Sequence, residues 1–268
     1  MNIRLLGTGA ADGIPGFFAD DMVSRYAREN GGKDVRTRSA ALVDGILKID
    51  LPPDTLTQLH RDRLDARDWT ALIFTHSDDD HIAVDELQYA MVPFTELDYL
   101  PFTIFANEHV SGEIQCRYPN WPMELVETHS FEAFEHSGYT VTPVKATHIE
   151  HEDCQNLIIQ SEGKSLLYAT DTGIWPEITF EFLKAYRFDV LVIECTDGFN
   201  DSTYKGHLNV DGVLSMVSRL RADGVVDSDS RVVTTHHGHF GNARHCDLEE
   251  ALLPHHIEPG YDGMLIEF

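Results

Sequence analysis

The segment from Thr75 to Leu87, THSDDDHIAVDEL, concentrates acidic and histidine side chains directly after a short apolar run. His76 and Asp78 are two positions apart, so an extended chain would point both side chains to the same side. Asp80 and His81 follow at a turn and would face a second direction. Carboxylates and imidazoles in two such pairs suit two divalent ions and fit Zn²⁺, Mn²⁺ or Fe. A solvated acidic helix start would account for the aspartates but not for a histidine at each end.

Four of the predicted strands lead into a metal-competent side chain, namely His76, His148, Asp171 and His236. Ligand clusters at the rim of a sheet are a common way for α/β proteins to build a binding site. Strand ends are often polar, so one such case means little, but four together predict a metal site. His151 is an alternative to His148, which we favour because it follows its strand directly.

The segments that must position these side chains alternate between short apolar runs and amphipathic stretches. The runs that predict strands are NIRLLGTG, TALIF, FTIFAN, YTVTPVKAT, QNLIIQ, KSLLYAT, DVLVIEC and RVVTT. SAALVDGILKID predicts two strands joined by a two-residue turn at Asp44 and Gly45. Apolar residues recur at intervals of three and four residues, as they do in helices, in PDTLTQLHRDRL, PEITFEFLKAYR, NVDGVLSMVSRLRADG and DLEEALLPHH. The segment IAVDEL is predicted to begin a further helix. This order indicates an α/β fold of two packed sheets with helices outside, and we predict a single domain over residues 1–268.

The composition limits the kinds of molecule that the protein is expected to bind. The chain has 268 residues, and 45 Asp plus Glu against 20 Lys plus Arg give a net charge of −25. Such a charge repels phosphate backbones and anionic lipid surfaces, so we expect a small-molecule substrate and no nucleic acid or membrane partner. The sequence shows no signal peptide and no run of about 18 apolar residues. The four cysteines form no C-x-x-C pair, which argues against a four-cysteine zinc site and favours a reduced, cytoplasmic protein.

The order of motifs resembles that of the metallo-β-lactamase superfamily, whose signature H-x-H-x-D-H follows a strand. It is most similar to the PhnP-like branch, which contains the carbon–phosphorus lyase accessory phosphodiesterase. The segments that carry the resemblance run nearly from end to end: LGTGAADGIP, TRSAALVDG, DLPPDTL, YATDTG, GHLNVDG and YDGMLIEF. The resemblance implies the αββα sandwich of that superfamily, with two mixed β-sheets flanked by helices.

The resemblance also assigns roles to individual residues. The seven inner ligands of the family correspond here to His76, Asp78 and His148 for one ion, Asp80, His81 and His236 for the second, and Asp171 as the bridge. His236 is thereby favoured over its neighbour His237. His207, in GHLNV, matches the histidine that protonates the leaving group. His207 and the metal ligand Asp80 are therefore the predicted catalytic residues.

Two sites depart from the family pattern. Asp78 replaces the second histidine of the signature, and an oxygen ligand in place of nitrogen favours Mn²⁺ over Zn²⁺, although Zn²⁺ remains compatible. Relatives also carry an outer zinc site with C-x-C-x-x-C spacing, where this chain has Ala19, Asp21 and Ser24. Its fourth ligand, His239, is retained, but one histidine without thiolates does not hold zinc. We therefore predict no structural zinc site.

The predicted function is metal-dependent hydrolysis of a small phosphodiester, with a hydroxide between two divalent ions as the nucleophile. Hydrolysis of a thioester, lactone or related ester by the same centre stays open, because the fold does not fix which bond is cleaved. The net charge disfavours tRNA-end processing. A homologue that binds metal without catalysis is also open, since Asp78 and the outer site depart from the family. The sequence is compatible with a homodimer.

Overall fold

Fourteen strands form two seven-stranded sheets in the computed structural model, which describes residues 1–268. The strands of the first sheet are β1 (Asn2–Gly7), β2 (Ala40–Val43), β3 (Leu47–Ile49), β4 (Ala71–Ile73), β5 (Thr103–Ala106), β6 (Glu124–Glu127) and β14 (Leu265–Glu267). Those of the second are β7 (Phe134–His136), β8 (Tyr139–Lys145), β9 (Gln155–Ser161), β10 (Lys164–Ala169), β11 (Val190–Glu194), β12 (Arg231–Thr235) and β13 (Glu258–Pro259). The spatial orders are β14-β1-β2-β3-β4-β5-β6 and β13-β12-β11-β10-β9-β8-β7.

The protein has six α-helices, and five of them, α2 to α6, cover the outer faces of the two sheets. Their bounds are α1 (Met22–Asn30), α2 (Thr55–Asp62), α3 (Glu108–Arg117), α4 (Glu177–Leu183), α5 (Val210–Ala222) and α6 (His245–Leu252). None of them is both long enough and apolar enough to cross a lipid bilayer. Apolar residues of α2 and α3 pack on the first sheet, and those of α4, α5 and α6 pack on the second.

Side-chain alternation along the strands produces three apolar layers. In β10, Leu166 and Tyr168 lie in the core between the sheets, whereas Leu167 and Ala169 lie in the core beneath the helices. Successive strand residues point to opposite faces, so a strand buried on both sides needs an apolar run rather than an alternating one. The layers run helix, sheet, sheet, helix. This arrangement confirms the predicted α/β sandwich of two mixed sheets flanked by helices.

Strand direction brings the carboxyl ends of many strands to one edge. Strands β3, β4, β5 and β6 run parallel in the first sheet, as do β10, β11, β12 and β13 in the second. Parallel strands end at the same edge, so the loops that follow them lie side by side. Strand β8 runs in the same direction as β10, and the metal-competent residues predicted from the sequence all follow the carboxyl ends of β4, β8, β10, β11 or β12.

Some local predictions differ from the structure. The β2–β3 hairpin is present, but Val43 pairs with Leu47, so its loop has three residues rather than two. The left-handed backbone of Asp44 and Gly45 accommodates this longer loop. The predicted helix start IAVDEL is a 3₁₀ helix over Val84–Ala90 rather than an α-helix. Helices α1 and α3 were not predicted from the sequence.

Lys48 is a fully buried cation in the middle of β3. It pairs in register with Leu42 and Leu72, and its ammonium donates to the backbone carbonyls of Ile49 and Asp50. Burial lowers the pKa of Lys48 to about 7, although the charge of Asp50 opposes this shift. The lysine is therefore a source of instability that depends on pH.

We expect Lys48→Met to stabilise the fold most at neutral pH. The unfolded chain binds the lysine proton up to about pH 10, whereas the folded chain releases it near pH 7. This difference raises the unfolding free energy of the parent by about 1.4 kcal/mol per pH unit across that window. Urea unfolding at pH 7, 8, 9 and 10 should show the advantage of Lys48→Met shrinking as pH rises. The exposed Lys145→Met is the matched control. Parallel pH profiles for the parent and Lys48→Met would contradict the prediction.

Candidate metal centre

One group of side chains lies beyond the carboxyl ends of β4, β8 and β10. His76, His148 and Asp171 each offer a ligand atom there, and these atoms lie within 4.8 Å of one another. Asp78 stands beside them, with Oδ2 2.8 Å from His148 Nε2 and 3.5 Å from His76 Nε2. The Asp78 side chain is 44% exposed, whereas both imidazoles are buried. Asp78 therefore lies on the solvent side of the group.

A second group consists of Asp80, His81 and His236, whose ligand atoms also lie within 4.8 Å of one another. His81 Nε2 is 3.3 Å from Asp80 Oδ2 and 3.0 Å from Asp171 Oδ2. His236 Nε2 is 3.4 Å from Asp80 Oδ2 and 3.2 Å from Asp171 Oδ1. Asp171 Oδ1 is also 3.9 Å from His148 Nε2. Asp171 thus lies between the two groups, and the structure brings all seven sequence-predicted ligands together.

The two groups fit divalent cations. The Nε2 atoms of His76 and His81 are buried and make no well-directed hydrogen bond, although carboxylate oxygens lie 3.0 to 3.5 Å away. Such orphaned polar atoms are costly in a protein interior unless a ligand uses their lone pairs. The backbones of Asp171 and His236 adopt left-handed φ angles of 45° and 53°. That conformation costs a non-glycine residue about 1–3 kcal/mol and is typical of functional sites.

Asp50 orients the two imidazoles on the first sheet. It directly follows β3, is fully buried, and accepts a hydrogen bond from His81 Nδ1 at 2.8 Å. Thr75 Oγ1 donates to the same carboxylate at 2.9 Å and lies 2.9 Å from His76 Nδ1. The Nδ1 atoms of both histidines are therefore occupied, and the Nε2 atoms are left to face the centre.

Glu194 has the same role on the second sheet. This last residue of β11 is fully buried and accepts a hydrogen bond from His207 Nδ1 at 2.9 Å. Thr196 Oγ1 also donates to Glu194 and lies 2.8 Å from His236 Nδ1. Three backbone N–H groups donate to the carboxylate as well, those of Thr172, Thr196 and Leu208. One buried acid thus fixes both His207 and His236.

The remaining imidazole is held by backbone. His148 Nδ1 lies 3.1 Å from Gly206 O, in the loop after β11. The alternatives weighed from the sequence lie elsewhere: His151 is exposed, and His237 is buried but belongs to neither group. The structure therefore places His148 and His236 in the centre rather than their neighbours.

Opposite charges keep the buried carboxylates ionised. Burial acts to raise the pKa of Asp171, but His236 and His81 hold it well below its ordinary value. Burial acts to lower the pKa of His81, but Asp171 and Asp80 raise it well above its ordinary value. The proton on His81 provides positive charge that a divalent ion would supply in its place.

Sequence reasoning missed the residues that orient the imidazoles. Asp50 carried the same signal as the predicted ligands, because it follows the strand segment LKI directly. Glu194 is an acid near the end of the apolar run DVLVIEC, and a charge within a buried strand is informative. Thr196 had no sequence signal, since threonine is common after strands.

Two carboxylates contact His239, the residue retained from the expected outer zinc site. His239 Nδ1 lies 2.8 Å from Asp21 Oδ2, and His239 Nε2 lies 3.1 Å from Asp12 Oδ2. Asp21 also caps α1 by accepting from the backbone N–H of Ser24. His239 therefore links two acidic loops through ion pairs, and the prediction that no structural zinc binds there stays a prediction.

The chain belongs to the β-lactamase superfamily, because a family model described as the beta-lactamase superfamily domain matches residues 41–237. Sequence comparison with curated proteins gives no significant match. This match confirms the resemblance to the metallo-β-lactamase superfamily that the sequence motifs indicated. The family, the sandwich fold and the His/Asp clusters together make the protein a metal-dependent hydrolase of the metallo-β-lactamase fold.

Several solved structures share the whole fold. A diphosphatase of the PhnP family is 23% identical, with a TM-score of 0.79, covering 100% of this chain and 97% of its own. Zn²⁺-bound PqqB from Methylobacterium extorquens is 18% identical, with a TM-score of 0.77 and 100% coverage of both chains. The short form of human tRNase Z is 16% identical, with a TM-score of 0.66, covering 100% of this chain and 99% of its own. At these identities the comparisons support the fold and leave the substrate open.

We expect Asp50→Asn to weaken metal binding without removing a ligand. The amide cannot hold His81 Nδ1–H as the carboxylate does, and loss of such an orienting partner lowers metal affinity about 10- to 100-fold. Titration of Mn²⁺ and Zn²⁺ against a competing chelator would measure the change. Asp79→Asn, at an exposed acid in the same turn, is the matched control and should retain the parent affinities. Equal affinities in the parent and Asp50→Asn would show that Asp50 does not orient the site.

Proposed function

We propose that the protein is a dinuclear metal-dependent phosphodiesterase that acts on a small phosphodiester. The His207–Glu194 pair carries this proposal. His207 offers a ring nitrogen within 4.8 Å of the ligand atoms of Asp171 and His236. Since Glu194 holds its Nδ1, Nε2 is the nitrogen free to donate a proton. An imidazolium in this position suits protonation of an alkoxide that leaves phosphorus.

The protonation state of His207 supports this role. Burial acts to lower its pKa, but Glu194, Asp171 and Asp197 together outweigh burial and raise the pKa to about 9. Two divalent ions in the centre would supply a hydroxide nucleophile at neutral pH and polarise the phosphoryl oxygens. In this proposal Glu194 keeps the imidazole ring aligned, and His207 Nε2 passes its proton to the departing oxygen.

We propose that the ligands divide between the two ions, with His76, Asp78 and His148 for the first, Asp80, His81 and His236 for the second, and Asp171 between them; the two groups of neighbouring side chains support this division. Asp78, Asp80 and Asp171 contribute −3 against the +4 of two divalent ions. With a histidine at position 78, the ligand carboxylates would contribute a charge of only −2. The extra carboxylate makes the first site harder, so we propose Mn²⁺ rather than Zn²⁺ as the working ion.

The net charge of −25 supports a small substrate rather than a nucleic acid or a lipid surface. Such a field opposes long polyanions, which extend over the surface, more strongly than a single phosphodiester monoanion. We therefore propose neither a nucleic acid nor a membrane as a partner.

The reaction class is tested with metal-loaded protein on bis-p-nitrophenyl phosphate, alongside thioester and lactone panels. Turnover of the phosphodiester is expected. Turnover confined to thioesters or lactones would overturn the proposed bond, and no turnover by protein with two bound ions would favour a non-catalytic homologue.

We expect His207→Ala to affect esters according to their leaving groups. An alkoxide needs a proton in order to leave, so turnover of methyl propyl phosphate should fall about 10²- to 10⁴-fold. The p-nitrophenolate of bis-p-nitrophenyl phosphate leaves without protonation and should be affected far less. His151→Ala, at an exposed histidine, is the matched control, and metal content is measured for each variant. Equal losses on both esters at full metal content would show that His207 is not the acid.

We expect Asp78→His to change which metal supports activity. The parent should be most active with Mn²⁺, and the variant should shift toward Zn²⁺ because imidazole is the softer ligand. The less negative centre should also lower KM for the anionic ester. Chelated protein reloaded with each metal provides the measurement. A parent that is best with Zn²⁺, together with a variant that improves with no metal, would refute the charge argument.

A further inference from the structure

A cavity of about 330 Å³ has His207 in its wall. Thr147, which precedes the ligand His148, also lines it, as does Tyr204. The Tyr204 hydroxyl donates to the backbone carbonyl of His148 at 3.2 Å. The cavity therefore adjoins the metal centre at the residue proposed to protonate the leaving group. Its volume suits a small organic group.

Asp197 is a buried acid in the wall of this cavity, and no protein group pairs with its carboxylate. The residue is only 6% exposed. Its backbone is hydrogen-bonded, with its N–H donating to Leu208 O and its carbonyl accepting from Asn200 N–H. Its side chain has neither a hydrogen bond nor an ion pair within the chain, and burial raises its pKa. A buried charge left in this state is costly, so a donor from outside the chain would complete the site.

The other charged groups of the cavity leave this requirement unmet. Asp201 adds a second, exposed carboxylate to the wall. Lys205 also lines the cavity, but its ammonium donates to Ser202 O at 3.1 Å and forms no ion pair with either acid. His207 also lines the cavity and attracts the Asp197 carboxylate through space, but it forms no ion pair with it, so Asp197 keeps no direct partner.

Close packing fixes the loop that forms this wall. A Cβ built on Gly173 would lie 1.7 Å from Lys205 O, so only glycine lets the two backbones approach there. Gly206 O, one residue further on, lies 3.1 Å from Nδ1 of the ligand His148. The cavity wall and the metal centre are thus held in one arrangement.

We propose that this cavity is the leaving-group subsite and that it selects phosphodiesters whose leaving alcohol carries a primary ammonium group. The inference rests on the proposed phosphodiesterase function and specifies its substrate class. The ammonium of a short amino alcohol would donate to Asp197, while its oxygen lies at His207. Phosphate or carboxylate groups on the leaving side would meet two unpaired acids and be rejected.

The reaction is a balanced hydrolysis. The oxygen of a water molecule forms a bond to phosphorus, and the bond from phosphorus to the amino alcohol oxygen breaks with its electron pair. His207 gives its proton to that alkoxide and is reprotonated by the proton released from the water. The products are a phosphomonoester and a free amino alcohol.

The test compares two esters of similar size, methyl 2-aminoethyl phosphate and methyl propyl phosphate, on the metal-loaded protein. We expect kcat/KM to be at least about tenfold higher for the ammonium ester, with ethanolamine and methyl phosphate as its products by mass spectrometry. Asp197→Asn should reduce this selectivity ratio to near one. Asp229→Asn removes an exposed carboxylate before β12, at the opposite end of that strand from His236, and should keep the parent ratio.

The outcomes separate the two levels of the proposal. If the parent protein hydrolysed both esters with equal kcat/KM, or released methanol instead of ethanolamine, the proposed leaving-group subsite would be wrong. The proposed phosphodiesterase function would still stand. If folded Asp197→Asn kept the selectivity of the parent for the ammonium ester, Asp197 would not be the residue that binds the ammonium group. If no phosphodiester is hydrolysed at all, the proposed function fails. In that case, calorimetric titration of ethanolamine into the metal-loaded parent tests whether the cavity binds an amino alcohol. Absence of binding would overturn the proposed subsite.

Discussion

Two buried carboxylates, one on each sheet, determine the geometry on which the centre depends. Asp50 fixes His81 directly and His76 through Thr75, whereas Glu194 fixes His207 directly and His236 through Thr196. With Nδ1 occupied in each ring, Nε2 is the nitrogen that faces the middle. Each sheet thus delivers oriented imidazoles, and packing of the two sheets against each other brings the sets together around Asp171.

This geometry has a cost in the backbone. Asp50, Asp171 and His236 all follow strands directly or within two residues, and all three have left-handed φ angles. Each conformation opposes folding by about 1–3 kcal/mol, so the surrounding core must outweigh the sum. Strands whose apolar residues are buried on both faces provide that stabilisation. The strain therefore sits at the ends of the most deeply buried strands, where the fold tolerates it best.

The sequence predicted the fold and the proposed ligands better than it predicted their supports. Strand ends are local features, so His76, His148, Asp171 and His236 could be found by reading along the chain. The links from Asp50 to His81 and from Glu194 to His207 join residues 31 and 13 positions apart. Such contacts depend on how strands are ordered in a sheet, which local periodicity does not determine. The 3₁₀ helix after His81 was also missed, because short helical turns of either kind share one residue pattern.

In the proposed mechanism, the end of β11 connects proton transfer with the choice of leaving group. Glu194 is the last residue of the strand and points to His207, and Asp197, three residues later, lines the cavity beside the same histidine. The backbone N–H of Asp197 donates to Leu208 O, while the N–H of Leu208 donates to Glu194. A displacement of Asp197 would thus be transmitted to the residue after His207 and to the acid that orients it. Changes in leaving-group preference at this strand end should therefore be coupled to changes in proton transfer.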